Sequence, residues 1–333
     1  MQRAYDAALL DLDGVLYLGD DPVVGAAEGV RAARAAGMRV AFVTNNASRA
    51  PQDVADRLSG MQVPAEADDV VTSGQAAARL AAQALTAGAC VLVLGTQALA
   101  DELAGVGLRP VRRRAEAGDA GVAAVVQGLA RQTSMADLAD AAVALRRGAL
   151  WIAGNSDATL PSPDGPLPGN GAFVDVLRTT TGLEPRIAGK PDPALHRESV
   201  ERVAAQRPLV VGDRLETDVL GAVQGDADSL LVLTGVTDLA LLCDAEPGTR
   251  PTFVAHDLSA LGRPQPPVEL DGRTARCGSA VLGWRDGRAE AQAGVHDGSC
   301  EDGARDAALR AKVALAWAAA DGNWDRQASA TAR

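Results

Sequence analysis

Four short stretches of this chain hold residues that can do chemistry together. They are Asp11-Leu12-Asp13-Gly14, Thr44-Asn45-Asn46, Lys190-Pro191, and Gly212-Asp213 followed by Asp218. Three of them stand directly after apolar runs, at 7–10, 39–43 and 209–211. Such runs read as buried strands of a parallel sheet. Ligands of open α/β sheets bind outside the carboxyl ends of the strands. If the three strands are neighbours, Asp11, Asp13, Thr44, Asn45, Asn46 and Asp213 gather at one edge. Asp11 and Asp13 would face one ligand together, provided the strand runs on through them. Lys190, just ahead of a helix, can join the group. Clustered carboxylates with a lysine suit a hard divalent cation, and Mg²⁺ in particular takes oxygen ligands and a substrate phosphate oxygen. No His/Cys cluster favours zinc. His196, His256 and His296 are scattered and read as surface or structural residues.

The elements that must position these residues follow from periodicity and from turn residues. Helices are expected over 28–36, 51–58, 73–88, 97–104, 135–146, 173–180, 194–205, 216–223 and 304–320. Strands are expected over 7–10, 39–43, 90–94, 122–127, 150–153, 209–211, 230–233, 253–255 and 279–284. Alternating strands and helices imply α/β architecture. Ser73 reads as a helix N-cap, and Pro51 as a first helical residue. The run Gly262 to Pro267 reads as a linker, and the tail beyond it is too small to bury much core alone. The last dozen residues read as frayed.

Bulk composition narrows the field. A length of 333 residues suggests about two domains. Hydrophobic content is 47% but aromatics are only 3%, so Ala, Val and Leu must do the packing. No apolar run reaches membrane-spanning length, and the N-terminus lacks a signal-peptide pattern. These features predict a cytoplasmic protein. Cys90, Cys243, Cys277 and Cys300 lie far apart, without zinc spacing, and read as free thiols. A net charge of −11 argues against nucleic-acid binding and requires any anion site to be locally positive.

Taken in order, Asp-x-Asp, Thr-Asn-Asn, Lys-Pro and Gly-Asp-x₄-Asp resemble the signature of the haloacid dehalogenase superfamily of phosphatases. The middle segment carries Gly154-Asn155-Ser156-Asp157 and Pro168-Gly169-Asn170-Gly171. It is similar to the large α/β cap of subclass IIA, which includes phosphoglycolate, pyridoxal phosphate and p-nitrophenyl phosphate phosphatases. The runs 43–48, 69–73, 107–113, 189–192 and 231–236 resemble the actinobacterial glycerol 3-phosphate phosphatases. Those relatives also carry a small, acetyltransferase-like C-terminal appendix.

The resemblance implies a Rossmann-like, doubly wound parallel-sheet core, a large inserted α/β cap and a small C-terminal α+β appendix. The core would span 1–72 and 188–262, the cap 73–187 and the appendix 263–333. It implies a Mg²⁺-dependent phosphomonoester hydrolase. Asp11 would be the nucleophile and form an aspartyl-phosphate. Asp13 would be the general acid and base, with a pKa raised by its acidic neighbours. Thr44, Asn45 and Asn46 would hold phosphoryl oxygens, with Lys190 offsetting charge. The cation would lie on the Asp11 carboxylate, the Asp13 carbonyl and Asp213, with Asp218 beside it. Asn155 and Asp157 would bind substrate from the cap. In pyridoxal phosphate phosphatases a histidine precedes the proline that matches Pro161. Leu160 stands there in this chain, which argues for a small uncharged leaving group such as glycerol.

Other readings compete. The ester expected is glycerol 3-phosphate; phosphoglycolate or a range of sugar phosphates are the alternatives. A receiver-type signalling module also uses an Asp cluster, a Thr, a Lys and Mg²⁺. Its phosphorylated Asp ends a later strand, however, and it lacks the long insert between Thr44 and Lys190. Asp218 could be an early-helix residue favoured by the helix dipole, and Asn155 to Asp157 an ordinary turn. Arg112 to Arg114 read as a solvated loop, and Trp284, Trp317 and Trp324 as packing in the tail. The tail lacks a pyrophosphate-binding Gly-rich turn and reads as a packing or dimerising element. The partners expected are a small phosphorylated metabolite and, through cap or appendix, a second copy of the chain.

Overall fold

The computed structural model describes residues 1, 4–160, 165–291 and 302–324. Strands of two largely parallel sheets run β1 (Ala7–Leu10), β2 (Arg39–Thr44), β3 (Val70–Thr72), β4 (Cys90–Leu94), β5 (Arg109–Val111), β6 (Ala124–Gln127), β7 (Leu150–Ala153), β8 (Arg186–Ile187), β9 (Pro208–Gly212), β10 (Asp228–Val232) and β11 (Phe253–Ala255). The α-helices are α1 (Ala26–Ala35), α2 (Pro51–Gly60), α3 (Ser73–Ala84), α4 (Gln97–Gly105), α5 (Met135–Arg146), α6 (Asn170–Thr181), α7 (Pro193–Arg202), α8 (Leu220–Gln224), α9 (Leu239–Cys243) and α10 (Asp302–Asp321). An antiparallel sheet follows β11: β12 (Val268–Asp271), β13 (Thr274–Cys277), β14 (Ala280–Arg285) and β15 (Arg288–Ala291).

Contacts divide the chain into two units, Met1–Ala41 with Gly60–Pro64 and Val203–Arg333, and Phe42–Ser59 with Ala65–Arg202. Strand β2 starts in the first and ends in the second. The six-stranded sheet has the order β11-β10-β9-β1-β2-β3. Strand order therefore reverses at β1, the topological switch point where α/β sheets place their ligands. Strand β1, Ala-Ala-Leu-Leu, is fully buried, as a central parallel strand must be.

One carboxylate ties the starts of three strands together. Asp6 accepts hydrogen bonds from the N–H groups of Gln206 at 2.9 Å and Arg207 at 2.8 Å, ahead of β9, and from the Arg39 guanidinium of β2 at 2.7 Å. Burial pushes the Asp6 carboxyl up, but the two N–H groups and the guanidinium outweigh it and hold it below the ordinary carboxylate range.

The second unit carries a five-stranded sheet of order β8-β7-β6-β4-β5. Helix α5 packs on it through Leu138, Ala141, Ala142 and Leu145, against Leu92, Val125 and Trp151. Thr72, not Ser73, caps α3: its hydroxyl accepts from the Gln75 N–H while the Gln75 side chain returns to the Thr72 N–H. Ser73 is thereby freed for another task, described below. The helix expected over 216–223 is split into a π-helical turn, Leu215–Val219, and α8. Arg112 to Arg114 lie in a partly exposed bend and its following 3₁₀ turn, each with polar partners. Arg112 donates to the Gly95 and Thr96 carbonyls, Arg113 pairs with Asp137 at 2.8 Å and the Arg114 N–H donates to Asp140.

The described residues of the tail form more secondary structure than the one strand and helix expected. Strands β12 to β15 are joined by two-residue turns, one of them Asp286-Gly287 with both residues at positive φ, the signature of a type I′ hairpin. Helix α10 is apolar on two faces. Ala307, Ala311, Ala314 and Leu315 pack on β12–β14 in a small core that also takes Trp284 and Trp324. Leu309, Val313 and Trp317 pack on Leu231, Leu242 and Val254 of the first unit's parallel-sheet layer. A helix apolar on both sides is a buried one.

Candidate active site

In the first unit, the chain beyond β1 leaves the sheet at once. The Asp11 N–H still donates to the Val211 carbonyl of β9 at 2.8 Å. The Leu12 carbonyl then accepts from Val15 and Leu16, and the Gly14 N–H donates to Tyr17. The strand therefore does not continue through Asp13, and the shared-face argument for residues 11 and 13 fails. Leu12 is buried instead, and Asp13 is exposed. Strand β9 ends at Gly212, which brings Asp213 beside Asp11. Asp213 is 1% exposed. Its Oδ2 accepts from the Val236 N–H at 2.6 Å and its carbonyl from the Thr237 N–H at 3.1 Å. The π-helical turn then carries Asp218 inward, where its Oδ2 accepts from the Arg214 N–H at 3.1 Å.

Oxygens of Asp11, Asp213 and Asp218 lie within 4.8 Å of one another. Three carboxylates this close repel, and a bound cation relieves that repulsion. The donor set is all oxygen, as a hard divalent ion requires. Glycines shape the hollow. A Cβ on Gly14 would lie 2.3 Å from Asp213 Oδ2, and one on Gly235 only 2.0 Å from it. A Cβ on Gly212 would lie 2.2 Å from the Asp218 Cβ. Gly14 also has φ +86°, which side chains rarely adopt. Thr234 Oγ1 donates to the Gly14 carbonyl at 2.5 Å and fixes that turn. Asp11, Asp213 and Asp218 thus fit Mg²⁺.

In the second unit, β2 ends at Thr44, and a network forms around Asn45. Its Oδ1 accepts from the Lys190 N–H at 2.7 Å, and its Nδ2 donates to the Lys190 carbonyl at 3.1 Å. Its own carbonyl accepts from Ser73 Oγ and from Asn155 Nδ2, both at 2.6 Å. Asn170 Nδ2 donates to the Asn155 carbonyl at 2.7 Å, and Asn155 Oδ1 accepts from the Asp157 N–H at 3.1 Å. Asp157 Oδ1 lies 3.4 Å from Asn45 Nδ2. A Cβ on Gly189 would lie 2.6 Å from both Asn45 Oδ1 and the Gly154 carbonyl, so only glycine fits there. Thr44 and Lys190 are both buried, and Lys190 Nζ lies 3.4 Å from the Val43 carbonyl. Thr44 Oγ1 accepts from the Asn46 N–H, and Asn46 Oδ1 accepts from the Ser48 N–H and hydroxyl.

The structure thus brings Asp11, Asp213 and Asp218 together in one unit, and Thr44, Asn45, Asn46, Asn155, Asp157 and Lys190 in the other. The amides of Asn45, Asn46 and Asn155 are engaged with protein partners, which makes them builders of the site's frame. Sequence reasoning missed Ser73, Asn170, Gly189, Thr234 and Gly235 as individual contributors. Each lay within a run noted for its resemblance, but a hydrogen bond to a distant backbone leaves no local signal. His256 packs structurally, its Nδ1 2.9 Å from Asp306 Oδ1. His196 is half-buried, and burial, then Arg197, lower its pKa. Pro161, His296 and Cys300 lie outside the described residues.

Comparison with known proteins now bears on this arrangement. The family model for haloacid dehalogenase-like hydrolases matches residues 8–109, and a second, HAD-hydrolase-like model matches 187–261. A D-glycerol 3-phosphate phosphatase of Mycobacterium tuberculosis is 49% identical over 277 residues, covering 81% of this chain and 76% of that protein. The chain belongs to the haloacid dehalogenase-like hydrolases.

Within that family, an acid sugar phosphatase of Staphylococcus saprophyticus is 35% identical, covering 77% of this chain and 96% of the relative. The crystal structure of a glycerol phosphate phosphatase of M. tuberculosis in complex with calcium superposes with a TM-score of 0.81 at 44% identity, covering 98% of this chain and 92% of that one. The same protein in complex with magnesium gives 0.79, covering 95% and 91%. This haloacid dehalogenase-like hydrolase is a phosphatase with a doubly wound α/β core. Among the described residues no helix is long and apolar enough to cross a membrane.

Proposed function

We propose that this phosphatase hydrolyses glycerol 3-phosphate to glycerol and inorganic phosphate through an aspartyl-phosphate on Asp11. The observation that carries the chemistry is the convergence of the Asp11, Asp213 and Asp218 carboxylates in an all-oxygen, glycine-lined hollow. The similarity to the mycobacterial D-glycerol 3-phosphate phosphatase supports the choice of ester.

In the first step an Asp11 carboxylate oxygen attacks phosphorus, and the bond from phosphorus to the glycerol oxygen breaks. Asp13 gives its proton to the leaving alkoxide. Asp13 is exposed and is not one of the three clustered carboxylates, which suits a group that exchanges protons with leaving group and water. In the second step Asp13 takes a proton from water, the water oxygen attacks phosphorus, and Asp11 leaves as carboxylate. The Thr44 hydroxyl and the Asn45 N–H hold phosphoryl oxygens, and Asn46 serves the substrate by fixing the Thr44 hydroxyl through its own N–H. Lys190, kept in place by Asn45, offsets their charge. Asp11, Asp213, Asp218 and the Asp13 carbonyl would hold Mg²⁺, which would supply positive charge beside the phosphoryl oxygens. Asn155 and Asp157 act on the substrate by way of the Asn45 frame. A cytoplasmic enzyme, acting as a homodimer, completes the reading.

The test is Mg²⁺-dependent phosphate release across glycerol 3-phosphate, phosphoglycolate, pyridoxal phosphate and a set of sugar phosphates. Asp11→Asn serves as the blank. The proposal expects kcat/KM for glycerol 3-phosphate to exceed the others by about tenfold or more. Equal or better turnover of sugar phosphates would move the assignment to a sugar phosphatase, like the staphylococcal relative.

A further inference from the structure

We infer that helix α10 is a positioning element for Asp218, so that the appended C-terminal segment sets how tightly this phosphatase holds its cation. The inference rests on the reading of Asp218 as a cation ligand.

One row of residues crosses three strands of the first unit. Gly212 of β9 is in register with Leu231 of β10, and Leu231 with Val254 of β11. Residues in register on parallel strands share a face. At Gly212 the missing side chain leaves the space that Asp218 fills. Val219, the residue after Asp218, joins Leu231 and Val254 in a single buried cluster. That cluster is completed by Leu242 of α9 and by Leu309 and Val313 of α10. Leu215, which opens the π-helical turn, packs against it as well. The turn that presents Asp218 and the C-terminal helix therefore lean on the same apolar row.

A five-residue π-helical turn has little stability of its own. Its place is fixed by what Leu215 and Val219 pack against, and a cation site tolerates only small misplacement of its ligands. Helix α10 is held in turn by several polar ties. Trp317 Nε1 donates to the Leu242 carbonyl at 2.8 Å. Arg250 donates to both carboxylate oxygens of Asp321, at 2.6 and 2.9 Å, and lies 5.1 Å over the Trp317 ring. Asp306, 2% exposed, accepts from the His256 N–H at 3.0 Å. A segment serving only as a solubility tag or a linker needs none of these.

The test is calorimetric titration of Mg²⁺ into the metal-stripped full chain. The variants are Val313→Ala, Leu309→Ala, the conservative Val313→Ile, and Leu282→Ala, which loosens the appendix's separate core. Val313→Ala and Leu309→Ala should weaken Mg²⁺ binding about tenfold, as loss of a supporting contact to a ligand does. Saturating Mg²⁺ should restore their kcat. Val313→Ile and Leu282→Ala should bind like the parent chain. Parental affinity in a folded Val313→Ala protein, or an equal loss in Leu282→Ala, would overturn the inference. Absence of Mg²⁺ binding by the parent chain would instead overturn the reading of the trio. If Val313→Ala fails to fold, Trp317→Phe decides. It removes the bond to Leu242 and trims the ring that packs on the cluster and lies under Arg250, and should weaken binding about threefold or more; parental affinity there overturns the inference too.

Discussion

Asn45 and Lys190 grip each other through both ends of one side-chain amide, Asn45 Oδ1 accepting from the Lys190 N–H and Asn45 Nδ2 donating to the Lys190 carbonyl. A strand-end residue thereby fixes the backbone of a lysine far along the chain. Asn45→Ala leaves both groups of Lys190 without these partners. It should cost about 1–3 kcal/mol of stability. Displacement of Lys190 by even an ångström should cut kcat/KM about 100-fold. Thermal unfolding and steady-state kinetics check both. Loss of stability with intact kinetics would remove Lys190 from the chemistry.

Asn155 and Asn170 stand behind that pair as a relay: Asn170 holds Asn155, and Asn155 holds the Asn45 carbonyl. Both are buried. Asn155→Ala should therefore lower stability by about 1–3 kcal/mol, and Asn170→Ala by a similar amount. If Asn155 instead met the substrate directly, KM would rise with stability unchanged. Paired melting and kinetic measurements on the two variants separate these outcomes.

Gly235 tests the shape of the carboxylate hollow with one methyl group. A Cβ there meets Asp213 Oδ2 at 2.0 Å, so the carboxylate must move. Gly235→Ala should weaken Mg²⁺ binding by about 10- to 100-fold while the protein stays folded. Gly14→Ala adds backbone strain at φ +86° to a similar clash and should be worse in both affinity and stability. Calorimetry with Mg²⁺, alongside circular dichroism, gives the comparison.

Asp6 makes a pH-dependent prediction. Its folded pKa lies below the unfolded value of about 4. The folded state therefore releases this proton more readily than the unfolded state. Its contribution to stability is complete above the unfolded pKa and disappears as the pH falls through the folded one. Asp6→Asn should melt below the parent chain at neutral pH, and the gap should close on acidification below about pH 4. A gap that stays constant down to pH 2 would show that the carboxylate charge plays no part.

The chemistry of this chain was readable because three of its motifs terminate apolar strands. Asp11, Thr44 and Asp213 each follow a run whose burial is evident from composition, and switch-point topology does the rest. The geometry of Asp13 is not legible, because the sequence does not show that the Leu12 carbonyl starts a turn there. The second-unit network was legible only as motifs. Nothing local in Asn155 or Ser73 announces that both will point at the carbonyl of Asn45. In the sequence the tail reads as one strand and a helix because its four strands are short and its turns only two residues long. Its long helix was visible as an Ala-rich stretch. Its double burial was not, since small alanines on one face and Leu309, Val313 and Trp317 on the other look alike in a hydropathy profile.

The central claim is that Asp11 carries the phosphoryl group, and a trapped intermediate tests it most directly. Asp13→Asn should still be phosphorylated by p-nitrophenyl phosphate, whose leaving group needs no proton, but should lack the base for hydrolysis. Acid quench with Mg²⁺ present, followed by peptide mass spectrometry, should find one phosphoryl group on Asp11 and none in Asp11→Asn/Asp13→Asn. Phosphate on another residue, or release of phosphate by the double variant at the rate of Asp13→Asn, would contradict it.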